Sequence, residues 1–328
     1  MSKFSSVKAS IEDLKSLRQE DLKYLIDQIT IRKYQGWPDV TQSMAKAQLL
    51  YEIQSSNESC NCLLFYDKTE LCGFVSVERL EWDSRYFKFG CYKIGHLLVD
   101  SFLSMSDQCE LATEMVKKIM ISFASEARFV FSDADSWNEY HNSALQRYGF
   151  RYILTWIDGF YFGKGYNVTL PKGHSASLFE PSDYKDINRF VVKSYFEGGR
   201  FFLDQNFSSL NPRGIYESLF ENSITNGDEV YVYRVEGTPA GIFICKKPYT
   251  YTQLNDISVA PLRYLVIDPK YRGQGIASYL YKSFVNHFVK SNHLVLTGLE
   301  IHNIPSLNLH SKLEFNFNYT HNAYHAWL

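Results

Sequence analysis

Apolar and polar residues alternate in short runs along much of the chain, and the runs come in a recurring order. In the C-terminal half the alternation predicts strands at 229–235 and 241–246 and a longer strand ending at Ile267. Helical spacing predicts helices at 184–195, around 215–225, over about 275–290 and over about 305–313. A strand at 293–301 separates the last two, and a final strand ends the chain. Asn303 and Pro305 supply a start for the last helix. Strands first in hairpin order and then separated by helices imply an α/β fold, an α+β mixed sheet flanked by helices.

The same order occurs earlier in the chain. "LCGFVSV" from Leu71 and "PAGIFIC" from Pro239 are both short strands entered through a glycine, 168 positions apart. "NEYHNSALQRYGF" from Asn138 matches "NIPSLNLHSKLEF" from Asn303, 165 positions apart. Between these matches, "VDSFLSMSDQCELATEMVKKI" takes the place of "IDPKYRGQGIASYLYKSF", and three extra residues in the first loop account for the change of offset. Three matches in one order mark a tandem duplication. A length of 328 residues fits two domains, expected at 1–165 and 176–328, with a junction near "GKGYNVTLPKGHSAS" (163–177).

Composition narrows the function classes. A formal net charge of −2 argues against nucleic-acid binding by bulk electrostatics. No block of Lys and Arg suggests an anionic membrane surface, and no window approaches the roughly 18 apolar residues of a membrane span. The N-terminal "MSKFSSVKASIEDL" has no apolar run behind its lysines and does not read as a signal peptide. Cys60-Asn61-Cys62 is not a zinc spacing and no second pair follows, so no metal site is expected. All six cysteines read as reduced thiols of a cytoplasmic protein. The 24 Tyr, 24 Phe and 5 Trp read mainly as core and strand residues. A homodimer is compatible with all of this.

The candidate chemistry lies in "VIDPKYRGQGIASYLYKSF", from Val266. A glycine-rich turn at a helix start leaves backbone N–H groups pointing outward with the positive helix end behind them. Gly273 and Gly275 let an anion approach the backbone, and Arg272 adds a fork of donors for phosphate oxygens. The turn is not a Walker loop, lacking the Lys-Ser/Thr pair, and not a dinucleotide fingerprint, lacking the third glycine. Arg272-x-x-Gly275-x-Ala277, after a strand ending Leu265-Val266-Ile267-Asp268-Pro269 and before Asn303 with "SLNLHSKLEF", resembles the Gcn5-related N-acetyltransferase (GNAT) family. That resemblance implies two tandem GNAT-like domains and acetyl-coenzyme A as cofactor. It implies that Arg272, Gly273, Gln274, Gly275, Ile276 and Ala277 hold the pyrophosphate. Leu265, Val266 and Ile267 would then offer the splayed strand's backbone, and Asn303 would face the pantetheine arm. In register with Arg272 and Gly275 the first copy has Asp107 and Glu110, carboxylates where a pyrophosphate would dock, so the first domain is expected to be degenerate and not to bind coenzyme A.

"LEWDSRYFKFGCYKI" (80–94) and "GGRFFLDQNF" (198–207) are similar to the dTDP-fucosamine acetyltransferase (WecD) branch of that family. The similarity implies a primary-amine acceptor on a nucleotide-linked amino-deoxy sugar. Arg200 would pair with the diphosphate, Phe201 would give stacking surface, and Asp204 would hold a sugar hydroxyl or the incoming ammonium. Alternatives are another small-molecule amine, a protein N-terminus, or a coenzyme A-binding scaffold without turnover. Aminoacyl transfer from tRNA is disfavoured by the intact loop. The expected reaction is direct attack of a neutral amine on the thioester, speeded by holding both reactants in line. Family members usually give a tyrosine the task of protonating the departing thiolate, and the matching position here is His310. Glu300 and His302 are weaker candidates for the base.

Overall fold

The computed structural model describes residues 4–9, 19–55, 61–194, 196–290 and 293–328. Its contacts divide the chain into two units. Unit 1 comprises Met1–Gln35, Asp39–Trp156 and Thr320–Leu328; unit 2 comprises Gly36–Pro38 and Ile157–Tyr319. The segment 163–177 falls within unit 2, and the last nine residues join unit 1.

In chain order the first half runs β1 (Ser5–Ala9), α1 (Gln19–Gln28), α2 (Gln42–Gln54), β2 (Asn61–Asp67), β3 (Glu70–Arg79), α3 (Glu81–Phe87), β4 (Cys91–Val99), α4 (Met105–Phe123), β5 (Phe129–Asp135), α5 (Glu139–Arg147) and β6 (Arg151–Tyr161). The second half runs β7 (His174–Leu178), α6 (Tyr184–Val191), α7 (Arg200–Leu203), α8 (Gly214–Thr225), β8 (Glu229–Val235), β9 (Thr238–Cys245), β10 (Tyr249–Tyr251), β11 (Ile257–Ile267), α9 (Ile276–Val289), β12 (Leu294–Glu300), α10 (Ile304–Lys312) and β13 (Asn316–Trp327). The mixed sheet flanked by helices is the expected α/β class. The helix expected at 184–195 stops at Val191; Tyr195, like Cys60, lies outside the described residues.

Within unit 1 the strands follow the order β1-β2-β3-β4-β5, and His321–Trp327 of β13 then pairs antiparallel with β5. Within unit 2 the order is β7-β8-β9-β11-β12, with β10 beside β11. Pairing is antiparallel except between β4 and β5 and between β11 and β12. Leu111, Met115 and Ile119 of α4, four residues apart, form one face that packs on Val75, Val77 and Ile94. Leu280, Phe284 and Phe288 of α9 do the same against Phe243 and Val295. Burying each such side chain contributes about 2 kcal/mol, so these stripes fix the helices over the sheets.

The duplication is visible in the caps as well as the order. The helices α5 and α10 start and end 165 positions apart, at 139 and 304 and at 147 and 312. Each is capped by the same residue type. The N–H of His141 donates to Asn138 Oδ1 at 3.0 Å, and that of Ser306 to Asn303 Oδ1 at 3.3 Å.

The five described cysteines are free and buried. Burial pushes the Cys245 thiol far up, so it is a core residue and not an acyl carrier. No helix among the described residues is long and apolar enough to cross a membrane, and they hold no cluster of His, Cys, Asp and Glu suited to a metal ion.

Candidate functional site

The strand β11 pairs with β12 only over Val259–Pro261 against Leu294–Leu296; Pro261, at the last paired position, has no N–H to donate. Beyond it β11 continues along β9 alone, to Ile267 opposite Gly241. Two parallel strands that part in this way leave main-chain groups facing a gap. The gap is a cavity of about 420 Å³ lined by Tyr264, Leu265, Val266 and Ile267 of β11, by Asn303, Pro305, Ser306 and Leu309 at the start of α10, and by Ser194, Phe196, Arg272 and Ala277.

At one end of the cavity the chain turns into α9. Asp268 accepts from the N–H of Lys270 at 3.0 Å and starts a short 3₁₀ turn over Pro269–Tyr271. Gly273 and Gly275 then adopt φ of 77° and 75°, the left-handed region that disfavours any residue with a Cβ. A Cβ at Gly273 would meet nothing within 4 Å, so glycine is there for its backbone, not for packing. Gly275 caps α9 without any side-chain hydrogen bond, so the helix's first N–H groups remain for a ligand. Beside them Arg272 makes two long bonds to neutral oxygens, Nε to the Ile267 carbonyl and Nη2 to Ser194 Oγ, both at 3.3 Å. An uncapped helix N-terminus, two left-handed glycines and a guanidinium at the mouth of a cavity fit a pyrophosphate with an extended arm behind it.

Residues 200–315 match the acetyltransferase (GNAT) family. Among solved structures, a tandem GNAT protein from the clavulanic acid biosynthesis pathway superposes with a TM-score of 0.56 at 12% identity, covering 99% of this chain and 98% of that one. An N-acetyltransferase of the same kind from Sphaerobacter thermophilus gives 0.59 at 11% identity, with 100% and 96% covered. A glucosamine N-acetyltransferase region of a fungal multi-domain β-N-acetylglucosaminidase gives 0.61 at 12% identity; this chain is covered over 98% and that one over 38%. No curated protein matches the chain by sequence. The chain has a tandem GNAT fold. The match to the family model lies within its second unit.

Most of the residues expected to hold acetyl-coenzyme A come together. Leu265, Val266, Ile267, Arg272, Ala277 and Asn303 line the cavity, and Gly273, Gln274 and Gly275 form the turn at its mouth. The Val266 and Ile276 side chains are buried in the core, Val266 opposite Ile242 of β9 and Ile276 at the first position of α9. The Asn303 oxygen is already engaged as the α10 cap, while its amide donates to the Glu300 carboxylate.

Two expected roles change. His310 does not line the cavity; it is 1% exposed. Its Nδ1 bonds the Ser306 carbonyl at 2.7 Å, and its Nε2 meets Thr297 Oγ1 at 3.0 Å and the Tyr281 hydroxyl. Burial lowers its pKa to about 4, despite the Ser306 carbonyl, so at neutral pH it is an uncharged core imidazole and not a ready acid. Both ring nitrogens of His310 are satisfied inside the domain. Asp204, also 1% exposed, accepts from the backbone N–H and side-chain amide of Asn206, both at 3.1 Å. It caps a 3₁₀ turn and is not poised for an ammonium.

Arg200 opens α7 with its guanidinium 4.4 Å from the Phe201 ring centroid, and Phe201 meets Phe207 edge-on at 5.0 Å. Residues outside the expected set border the same region. Tyr216 of α8 packs on Tyr264 and Phe202, and the Phe196 backbone bonds its hydroxyl. The alternation along β11 carried the signal for Tyr264; nothing in the sequence pattern pointed to Tyr216, Phe196 or Ser194.

The first copy keeps the GNAT strand split and fills it. Pairing of β4 with β5 covers only Cys91–Ile94 against Phe129–Ser132. Where the second copy has Pro305 the first has Tyr140, whose hydroxyl is bonded by the Val99 backbone inside the split. The start of α4 is occupied too: Ser104 Oγ accepts from the Asp107 N–H at 3.2 Å and lies 3.0 Å from the Asp107 carboxylate. The Ser104 hydroxyl takes one of the first N–H groups of α4, so fewer donors face outward there than at the uncapped start of α9. Glu110→Gly should therefore leave acetyl-coenzyme A stoichiometry unchanged in titration calorimetry; an added equivalent of binding would show that Glu110 alone closes the first copy.

Proposed function

We propose that unit 2 transfers the acetyl group of acetyl-coenzyme A to a primary amine, and that the amine is carried by a nucleotide-linked amino-deoxy sugar of the dTDP-4-amino-4,6-dideoxyhexose type. The observation that carries the transferase reading is the cavity between the parted strands β11 and β12, with the uncapped glycine turn and Arg272 at its mouth. Acetyl-coenzyme A supplies the activated acyl group. The chain's own work is binding and alignment. Arg272 and the first N–H groups of α9 hold the pyrophosphate end. The main chain of β11 past Pro261, which β12 no longer pairs, aligns the arm and offers an N–H to the acyl oxygen. Apolar walls from Phe196 and Leu309 keep water from the thioester.

The sugar-nucleotide reading rests on Arg200 and the aromatic group around it, a cation for a diphosphate beside rings for a base or sugar face. One neighbour in fold is named a glucosamine N-acetyltransferase, a sugar-amine acceptor that agrees with this class. The test is a panel of amino-sugar nucleotides, free amino sugars, other small amines and N-terminal peptides with acetyl-coenzyme A, read by mass spectrometry for an added acetyl group. The expected product is the acetylated nucleotide conjugate, with Arg200→Ala raising its KM about tenfold at unchanged KM for acetyl-coenzyme A. Equal acetylation of the free sugar would remove the diphosphate role. Binding of acetyl-coenzyme A without any product would favour a scaffold.

A further inference from the structure

Ser194 lies just past the end of α6, on the wall of the cavity, and is 3% exposed. Side chains from β11 and from the glycine turn both reach it. The Tyr264 hydroxyl donates to its carbonyl at 2.7 Å, and Arg272 Nη2 donates to its Oγ at 3.3 Å. Burial pushes the Tyr264 phenol far up, so it remains a donor at any working pH. One buried serine is thus fixed by the strand that faces the cavity, and in turn holds the arginine at the cavity's mouth.

We propose that Ser194 is a positioning residue for the cofactor: it holds the Arg272 guanidinium so that its open edge faces the pyrophosphate. The inference rests on the transferase reading above and concerns how the arginine of that reading is aimed. A guanidinium carries five N–H donors in a planar fork. Nε and one N–H of Nη2 form its side edge, and that edge is spent on the Ile267 carbonyl and on Ser194. The end edge, Nη1 and the second N–H of Nη2, is left to take two phosphate oxygens at once.

Both partners are neutral, so they orient the guanidinium without discharging it. A carboxylate in either place would pair with Arg272 and compete with a phosphate for it. The carboxylate in the same turn, Asp268, is directed elsewhere: it accepts from the Lys270 N–H and faces Arg189 at 3.8 Å. Arg272 is an exposed, long side chain with rotamer freedom to lose on binding. Held along one edge beforehand, it loses less of that freedom when the ligand arrives.

The test follows the Arg272 Nε–H signal in full-length 15N-labelled protein, assigned as the one lost in Arg272→Lys. In the wild type its relaxation should report a guanidinium as rigid as the backbone, and Ser194→Ala should make it mobile. Coenzyme A, titrated by calorimetry, should bind Ser194→Ala about three- to tenfold more weakly, the share expected from ordering one long side chain. In the Arg272→Lys background, which keeps the charge and loses the fork, adding Ser194→Ala should change the affinity by less than about twofold. Tyr264→Phe releases the Ser194 carbonyl and leaves the hydroxyl; it should loosen the same signal and weaken coenzyme A binding, and it carries the test if Ser194→Ala does not fold. A signal equally rigid with and without the serine hydroxyl, an unchanged affinity, or an equal loss in the Arg272→Lys background overturns the proposal. A wild-type protein that does not bind coenzyme A would instead overturn the transferase reading.

Discussion

Gly275→Glu will abolish acetyl-coenzyme A binding, and the wild-type chain will bind one equivalent. The substitution acts twice at one point. A φ of 75° is strained for any L side chain, by about 1 kcal/mol or more. The new carboxylate also stands at the N-terminus of α9, where it competes for the N–H groups that a phosphate would take. Binding should weaken by at least two orders of magnitude, with the fold intact because a Cβ at 275 meets only Tyr279, at 3.8 Å. Titration calorimetry gives both numbers. Two equivalent sites per chain would mean that the Ser104–Asp107 cap and Tyr140 do not close the first copy.

The second large effect is on stability in mild acid. Burial lowers the pKa of His310 in unit 2, and of His96 and His141 in unit 1, to about 4. In the unfolded chain each takes a proton near pH 6.5. Between those values the unfolded state holds more protons than the folded one, so stability is fully present above pH 6.5 and is lost as the pH falls through about 4. For the two fully buried rings, His141 and His310, the loss is of the order of 3 kcal/mol each. At 2–4 °C per kcal/mol for domains of this size, thermal unfolding should drop by about 10 °C between pH 7 and pH 4.5. His310→Ala should flatten that dependence for unit 2. It should also cost about 2–4 kcal/mol at pH 7, because Thr297 and Tyr281 lose their partner. Its acetyl-coenzyme A affinity should not change. A stable alanine variant with a 10²-fold loss of kcat would return His310 to the chemistry.

His310 also shows where sequence reading stops. Helix α10 was placed to within a residue at either end, because Asn303, Pro305 and the apolar spacing are local signals. Position in a motif said which residue type stands at 310. It did not say that the ring would turn onto Thr297 and Tyr281, because that depends on a strand and a helix brought together only by folding. Strand β8 falls on its expected residues, since alternation over seven residues and the Glu236-Gly237 turn fix both ends. The three-residue β10 and the four-residue α7 are too short to carry a period, and they were missed. The glycine loop was legible because its chemistry is in the backbone conformation that glycine announces. Tyr216 and Phe196 were not, because they come beside Tyr264 and the cavity only through folding.

The return of residues 320–328 to unit 1 has a consequence for how the chain is made. Until His321–Trp327 leave the ribosome, β5 has no antiparallel neighbour along Phe129–Asp135, so the first half must wait with an open strand edge while the second half is synthesised. A gene cut near residue 165 would make that waiting permanent. Its N-terminal product should be found in the insoluble fraction, and should be recovered when a peptide spanning 316–328 is supplied in trans.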